Sequence, residues 1–219
     1  MPIQIQGSGG VVAEVWGTGF RGVKTHSMPF EVGANGAYRK SLLSGTMAAA
    51  LAANAEIWQY RWTDATRLGV LTKVILDGLA GSATAFTAGF GKVDVMQARS
   101  FTASGTGGTA GTLTGNNGKN RTSMATTLMG DIRCATTAAL TAGTKTLDTD
   151  PIGQISFSVG VVVSVNYLGQ VLLVDNDAAH GQHPLVFAQN EGVAMRATVP
   201  ATGTWQFGVT CVWSEVDTF

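Results

Sequence analysis

Apolar and polar residues alternate along most of this chain with a period of two. In QISFSVGVVVSVNY, Ile155, Phe157, Val159, Val161, Val163, Val165 and Tyr167 fall on one face, and Ser156, Ser158, Gly160, Ser164 and Asn166 take most of the other. A helix would scatter those apolar residues around its circumference, whereas a strand gathers them. The end of the chain repeats the pattern: in TWQFGVTCVWSEVDTF, Trp205, Phe207, Val209, Cys211 and Trp213 alternate with Gln206, Gly208, Thr210 and Ser214. Further strands are predicted at Val11–Trp16, Ala37–Leu43, Glu56–Trp62, Leu68–Gly78, Lys92–Phe101, Leu128–Thr136, Pro184–Gln189 and Val193–Val199. About ten strands at such spacings predict an all-β fold, a jelly roll or related antiparallel β-sandwich. Its core is expected from Gln154–Tyr167 and Thr204–Glu215.

Turn residues punctuate the pattern. Asn35-Gly36 and Asn117-Gly118 are dipeptides that suit tight hairpins, Asp77-Gly78 is expected to close the strand before it, and Leu168-Gly169 predicts a hairpin into QVLLVD. TMAAALAAN (Thr46–Asn54) is the one helical candidate, being Ala-rich, and reads equally as a loop of small side chains. The Gly/Thr-rich stretch from Ser100 to Ser123 has no apolar periodicity and is long for an ordinary connection. It is expected to be a mobile loop or an arm ordered against a neighbouring subunit. Residues 1–50 are punctuated by glycine and read as an extended N-terminal arm with one or two strands, leaving 51–219 as the sandwich domain.

Charge changes the picture more by its scarcity than by its sign. Lys+Arg and Asp+Glu both number 14, so no global field draws in nucleic acid or acidic lipid. Charged residues make up only 13% of the 219 residues, against roughly 25% in an ordinary soluble domain. A surface so weakly charged is poorly protected against self-association, and much of it is expected to be covered in an assembly; a monomer coated with Thr, Ser and Asn is the alternative. Cys134 and Cys211 lack the close spacings of zinc or redox sites and are expected to be reduced and buried. The start, MPIQIQGSGG, has neither the basic nor the apolar region of a signal peptide. No apolar run approaches the ~18–20 residues of a membrane span, so synthesis in a cytoplasm and no membrane partner are expected.

Catalytic signatures are weak. His26, His180 and His183 are the only histidines, and no G-x-S-x-G elbow occurs. Asp175, Asp177, His180 and His183 form the densest set of potential metal ligands, but the EF-hand pattern is incomplete and Gly181 opposes a helix, so a polar loop is expected. GTGGTAG (Gly105–Gly111) is not followed by the helical pattern a phosphate-binding loop needs. Asn120-Arg121-Thr122 fits a glycosylation sequon, without a secretory signal to give it meaning. Carboxylate pairs drawn from Glu14, Glu31, Glu56, Glu191 and Glu215 carry no motif. No catalytic residue, cofactor or metal is assigned. Trp58, Tyr60 and Trp62 share one face of IWQYRW, opposite Ile57, Gln59 and Arg61, as a row for core, subunit interface or sugar stacking.

LAANAEIWQYRWTDATRLGVLTKVILDGL, a Thr/Gly-rich middle, and HPLVFAQNEGVAMRATVPATGTWQFGVTCVWSEVD together resemble structural proteins of tailed bacteriophages. In these the PLVFAQNEG step and a last strand with a Trp-x-Glu-like tail recur. The resemblance is to jelly-roll decoration, or cement, proteins of the capsid, and it covers roughly residues 51–100 and 150–217. It implies a virion protein without cofactors, made in the host bacterial cytoplasm, that binds the major capsid protein on the outside of the shell, often as a homotrimer. It would not contact nucleic acid directly. On that reading Trp58, Tyr60, Trp62, Trp205 and Trp213 are expected interface anchors, and Ser100–Ser123 and Met1–Gly36 are expected to reach other subunits. The alternative function is a receptor- or carbohydrate-binding module of a tail fibre or tail spike; a third is a virion-associated glycan hydrolase.

Overall fold

The computed structural model describes residues 4–6, 12–14, 35–48, 51–81, 84–159, 166–175 and 183–217. The chain divides into two units, Met1–Gly33 and Ala34–Phe219. In the first, β1 (Gln4–Gln6) pairs antiparallel with β2 (Val12–Glu14). The rest of the expected arm up to Gly33 lies outside the described residues.

The second unit holds β3 (Gly36–Leu43), β4 (Ala55–Trp62), β5 (Leu68–Gly81), β6 (Gly89–Ala103), β7 (Thr109–Ala110), β8 (Met129–Cys134), β9 (Thr144–Leu147), β10 (Gly153–Val159), β11 (Asn166–Leu168), β12 (Val171–Asp175), β13 (Leu185–Phe187), β14 (Glu191–Thr198) and β15 (Trp205–Val216). All pairings are antiparallel, in two sheets packed face to face. One sheet contains the order β3-β15-β5 with β12 on the far side of β5; the other contains β4-β14-β6-β10. Numbering these eight strands along the chain, the sheets read 1-8-3-6 and 2-7-4-5. That is the strand order of a jelly roll. β8 and β7 extend the second sheet beyond β4, and β9 pairs with the end of β6.

Each sheet buries one face, so the alternating residues meet between the sheets. Trp58, Tyr60 and Trp62 of β4 and Trp205, Phe207, Val209, Cys211 and Trp213 of β15 are all buried there, with Val93, Val95, Val193 and Met195. Burying an aliphatic or aromatic side chain of this size stabilises by about 1.5–3 kcal/mol. Gly69 makes room for this packing, because a Cβ there would stand 2.6 Å from the Trp62 ring and 3.0 Å from the Tyr60 hydroxyl.

Several expectations change. The sandwich starts at Gly36 rather than at residue 51, because β3 pairs with β15 along its whole length. The run Gln154–Tyr167 is not one strand: β10 belongs to one sheet and β11 to the other. Within β10 the alternation holds, with Phe157 and Val159 buried and Ser156 and Ser158 exposed. Leu168-Gly169 does not reverse the chain, since β11 and β12 follow each other along β5 and both run antiparallel to it. Gly169 lacks the left-handed backbone that a two-residue hairpin turn requires.

Asp77-Gly78 lies inside β5 rather than at its end. Gly208 pairs with Gly78 and Val209 with Leu76, so Asp77 is the extra residue of a bulge, and Gly78 takes φ 134° to accommodate it. The Asp77 carboxylate pins the bulge by accepting from Thr210 Oγ1 and from Gln170 Nε2. Thr46–Asn54 contains no helix among the described residues; Met47 forms a β-bridge with Trp205, and residues 52–55 turn into β4.

The Gly/Thr-rich stretch is ordered against its own sandwich. β6 continues through Ala103, and β7 then lines the edge of β8. Further on, Arg39 N donates to Gly118 O at 2.7 Å and Asn120 N donates to Ala37 O at 3.2 Å, along the free edge of β3. Residues 104–128 therefore form a strap from the edge of one sheet to the edge of the other. At the opposite seam β10 and β12 come so close that a Cβ on Gly153 would lie 1.9 Å from Leu173 O.

Candidate functional site

The five aromatic residues expected at an interface are core residues. Trp58, Tyr60, Trp62, Trp205 and Trp213 have 0% of their surface exposed within a single chain, so a row for a neighbour or a sugar is absent at these positions. Their polar atoms are mostly partnered inside: Trp62 Nε1 donates to Arg67 O at 2.9 Å, Trp205 Nε1 to Ala48 O at 3.2 Å, and Trp213 Nε1 to Thr127 Oγ1 at 3.3 Å. Tyr38 stacks on Trp213 at 5.4 Å, and Tyr60 meets it edge-on at 6.0 Å. β15 is flanked by β3 and β5, so both of its edges are paired, and its inward side chains are buried in the core between the sheets.

The outer faces of the two sheets differ. On the seven-stranded sheet, Gln59, Ala194 and Met96 lie side by side across β4, β14 and β6, and all three are buried. The chain itself covers them. Gln59 Oε1 accepts from Gly105 N at 3.0 Å, while Arg61 donates to Phe101 O and Thr102 O, both at 2.6 Å. The neighbouring row is Glu56, Arg196 and Asp94. A register shift between Met195 and Arg196 brings Glu56 rather than Ile57 opposite Arg196.

Lys145 reaches over this row. Its Nζ lies 2.7 Å from Glu56 Oε2 and 2.9 Å from Oε1, and 4.5 Å from the centre of the Phe101 ring. Both side chains of the pair are nearly inaccessible, at 3% for Lys145 and 7% for Glu56. Burial pushes the Glu56 carboxyl up, and the hydrogen bond and charge of Lys145 pull it back. Asp94 accepts from Lys92 at 2.6 Å and faces Arg196 at 3.6 Å.

The six-stranded sheet presents a different outer face. One row across it is Ser41, Thr210, Ile75 and Leu172, and the next is Arg39, Val212, Lys73 and Asp175. Ser41 and Thr210 share a 2.6 Å hydrogen bond, and Lys73 and Asp175 form an ion pair at 3.4 Å. Leu172 is 46% exposed, and Leu43, on the edge strand, is 72% exposed.

A second buried carboxyl stands in the core. Glu215 continues the inward series of β15 and is fully buried. Its Oε1 accepts from Thr127 Oγ1 at 2.5 Å and from Leu128 N at 2.9 Å. Neither Oε2 nor the Tyr60 hydroxyl has a hydrogen-bond partner among the described residues. Burial pushes the Glu215 carboxyl up, while the bonds from Thr127 and Leu128 and the charge of Arg67 oppose that shift.

The remaining candidates do not assemble. Asp175 pairs with Lys73, and His183 Nδ1 lies 2.7 Å from Pro184 O, while Asp177, His180 and His26 lie outside the described residues. No group of three or more His, Cys, Asp or Glu among the described residues could hold a metal. In GTGGTAG the glycines permit close approach to β8: a Cβ on Gly108 would meet Cys134 O at 2.2 Å. Glu56 faces outward from β4 and Glu215 inward from β15, and Glu191 pairs with Arg99 at 3.4 Å. The side chains of Glu14 and Glu31 are outside the described set. Both cysteines are free and buried, and burial raises the Cys134 thiol to about 12.

Comparison with family models, with curated proteins and with solved structures returns no match. Function is therefore argued from residues and fold. Sequence reasoning missed the Glu56–Lys145 and Asp94–Arg196 pairs, whose partners come from distant strands. Glu215 carried a usable signal, since it occupies the next inward position after Trp213.

Proposed function

We propose that the protein is a phage capsid decoration protein that binds the outside of the shell and bridges neighbouring capsomers as a homo-oligomer, a trimer by resemblance. The observation that carries this reading is the open outer face of the six-stranded sheet. Around Gln59, Ala194 and Met96 the outer face of one sheet is covered by its own chain, whereas the other sheet leaves Leu172 and the edge residue Leu43 exposed, beside Ser41 and the Lys73–Asp175 pair. A chain with 13% charged residues has little to discourage contact with a protein partner on this uncovered face. Attachment would stabilise the shell state to which the protein binds, by mass action.

Quantitative mass spectrometry of purified virions tests the proposal. A decoration protein is expected at a copy number on the order of hundreds, matching a symmetric shell. A handful of copies would place the protein in a tail and refute the capsid reading.

A further inference from the structure

The end of the loop strap meets the core at a buried carboxyl, and this junction has a chemistry of its own. Residues 104–128 run from the edge of one sheet to the edge of the other and then enter β8. Where the strap ends, Thr127 and Leu128 both donate to Oε1 of Glu215. Thr127 Oγ1 in turn accepts from Trp213 Nε1 at 3.3 Å and from Met129 N at 3.2 Å. Strap, last strand and the start of β8 are thus joined through one carboxyl oxygen.

Among the described residues no cation is bonded to this carboxyl. The charged and titratable groups that act on it are Tyr60 from β4, Tyr38 from β3 and Arg67 from the turn before β5. Arg67 is engaged elsewhere, in a 3.2 Å pair with Asp217. Tyr38 donates to Ala125 O at 3.1 Å, and burial raises it to about 12, so it is neutral. Burial likewise raises Tyr60. The carboxyl is therefore surrounded by neutral groups, with one engaged guanidinium acting through space.

We propose that Glu215 is a proton-operated clasp, which holds the 125–129 end of the strap against β15 while it is neutral and releases it when it ionises. An ionised carboxylate here would be a buried charge without a bonded countercharge, a state that proteins avoid by keeping the proton or by opening. Opening locally at Thr127–Leu128 hydrates the carboxylate at the expense of two hydrogen bonds, without unfolding the sandwich.

The sign follows from proton binding. Glu215 titrates above its ordinary 4.5 in the folded chain, so the folded state binds more protons than the unfolded one between those two values. The clasp's contribution is complete below pH 4.5 and is lost as pH rises through the folded value.

Amide hydrogen exchange on the full chain, corrected for intrinsic rates, tests this at Leu128 N, which donates to Glu215. For the native protein, protection at Leu128 is expected to fall from pH 5 to pH 8 as Glu215 ionises, with the amides of β14 unchanged. In Glu215→Gln, which keeps an acceptor for Thr127 and Leu128 but cannot ionise, the pH response is expected to disappear. Glu56→Gln is expected to leave it intact. An equal response in Glu215→Gln and the native protein would overturn the proposal. If Glu215→Gln fails to fold, the carboxyl ¹³C shift of Glu215 in the native chain decides: a midpoint above the ordinary value supports the clasp, and a midpoint at or below 4.5 sinks it.

Discussion

Glu56 and Glu215 are both buried glutamates on strands of one jelly roll, but only one has a countercharge. Glu56 sits on the outer face of β4, under a layer of its own chain, and Lys145 contacts both of its oxygens. Glu215 sits between the sheets, where its two donors are a hydroxyl and a backbone N–H. A buried ion pair recovers part of the cost of desolvating two charges. A buried acid with neutral donors avoids that cost by remaining protonated. The first arrangement is a fixed tie between a loop and a sheet, and the second is a tie that responds to pH.

The largest expected effect comes from breaking the paired site. Lys145→Met leaves Glu56 buried without its cation and is expected to cost about 3–5 kcal/mol at neutral pH, read by urea denaturation. Without Lys145 the Glu56 carboxyl rises further, so the loss should shrink as the buffer is acidified and Glu56 takes up a proton. A loss equal at acid and neutral pH would mean that packing against Phe101, rather than charge, is what Lys145 contributes.

Thr127→Val is expected to cost less, about 1–3 kcal/mol, because it removes the hydroxyl that bonds Glu215 and accepts from Trp213 while preserving shape. It should also steepen the pH dependence at the Glu215 site, where one of the bonds opposing the upward shift disappears. Thermal melts at pH 5 and pH 8 check both statements. The smallest effect on stability is expected for Leu172→Asp on the open face, within about 0.5 kcal/mol. Its consequence should lie in attachment: co-sedimentation with capsid shells is expected to drop while the melting temperature holds.

The strands of this protein were largely legible in its residues. Alternation located β15, β4, β5 and β14 to within a few residues, because a sheet with one buried face imposes a period of two wherever the chain runs. The same rule placed Trp58, Tyr60, Trp62, Trp205 and Trp213 together on inward faces. It could not say whether the apolar face met the opposite sheet or another subunit, since both are equally dry. The Leu168-Gly169 turn was misread because a break in alternation marks an interruption, and β5 supplies a continuous partner across it.

The candidate sites were much less legible. Lys145 and Glu56 lie 89 residues apart, and Thr127 and Glu215 lie 88 apart. Side-chain pairing at such separations has no periodic trace. The strap was recognisable as long and glycine-rich, but its destination was set by the unpaired edges of β8 and β3.

Period-two patterning is a local property, written in each strand's own residues, and it suffices for an all-β chain with a Trp-rich terminal strand and Glu215 pointing inward. Which strand lies beside which is settled by long-range pairing: β15 is central because β3 and β5 flank it, and the other sheet packed on its inner face removes its tryptophans from the surface. Whether a buried glutamate is an ion or a neutral acid depends on the groups that other strands and loops bring within hydrogen-bonding reach. For Glu56 that group is Lys145; for Glu215 it is Thr127 and a backbone amide, and their different electrostatics arise only when the sheets close on each other.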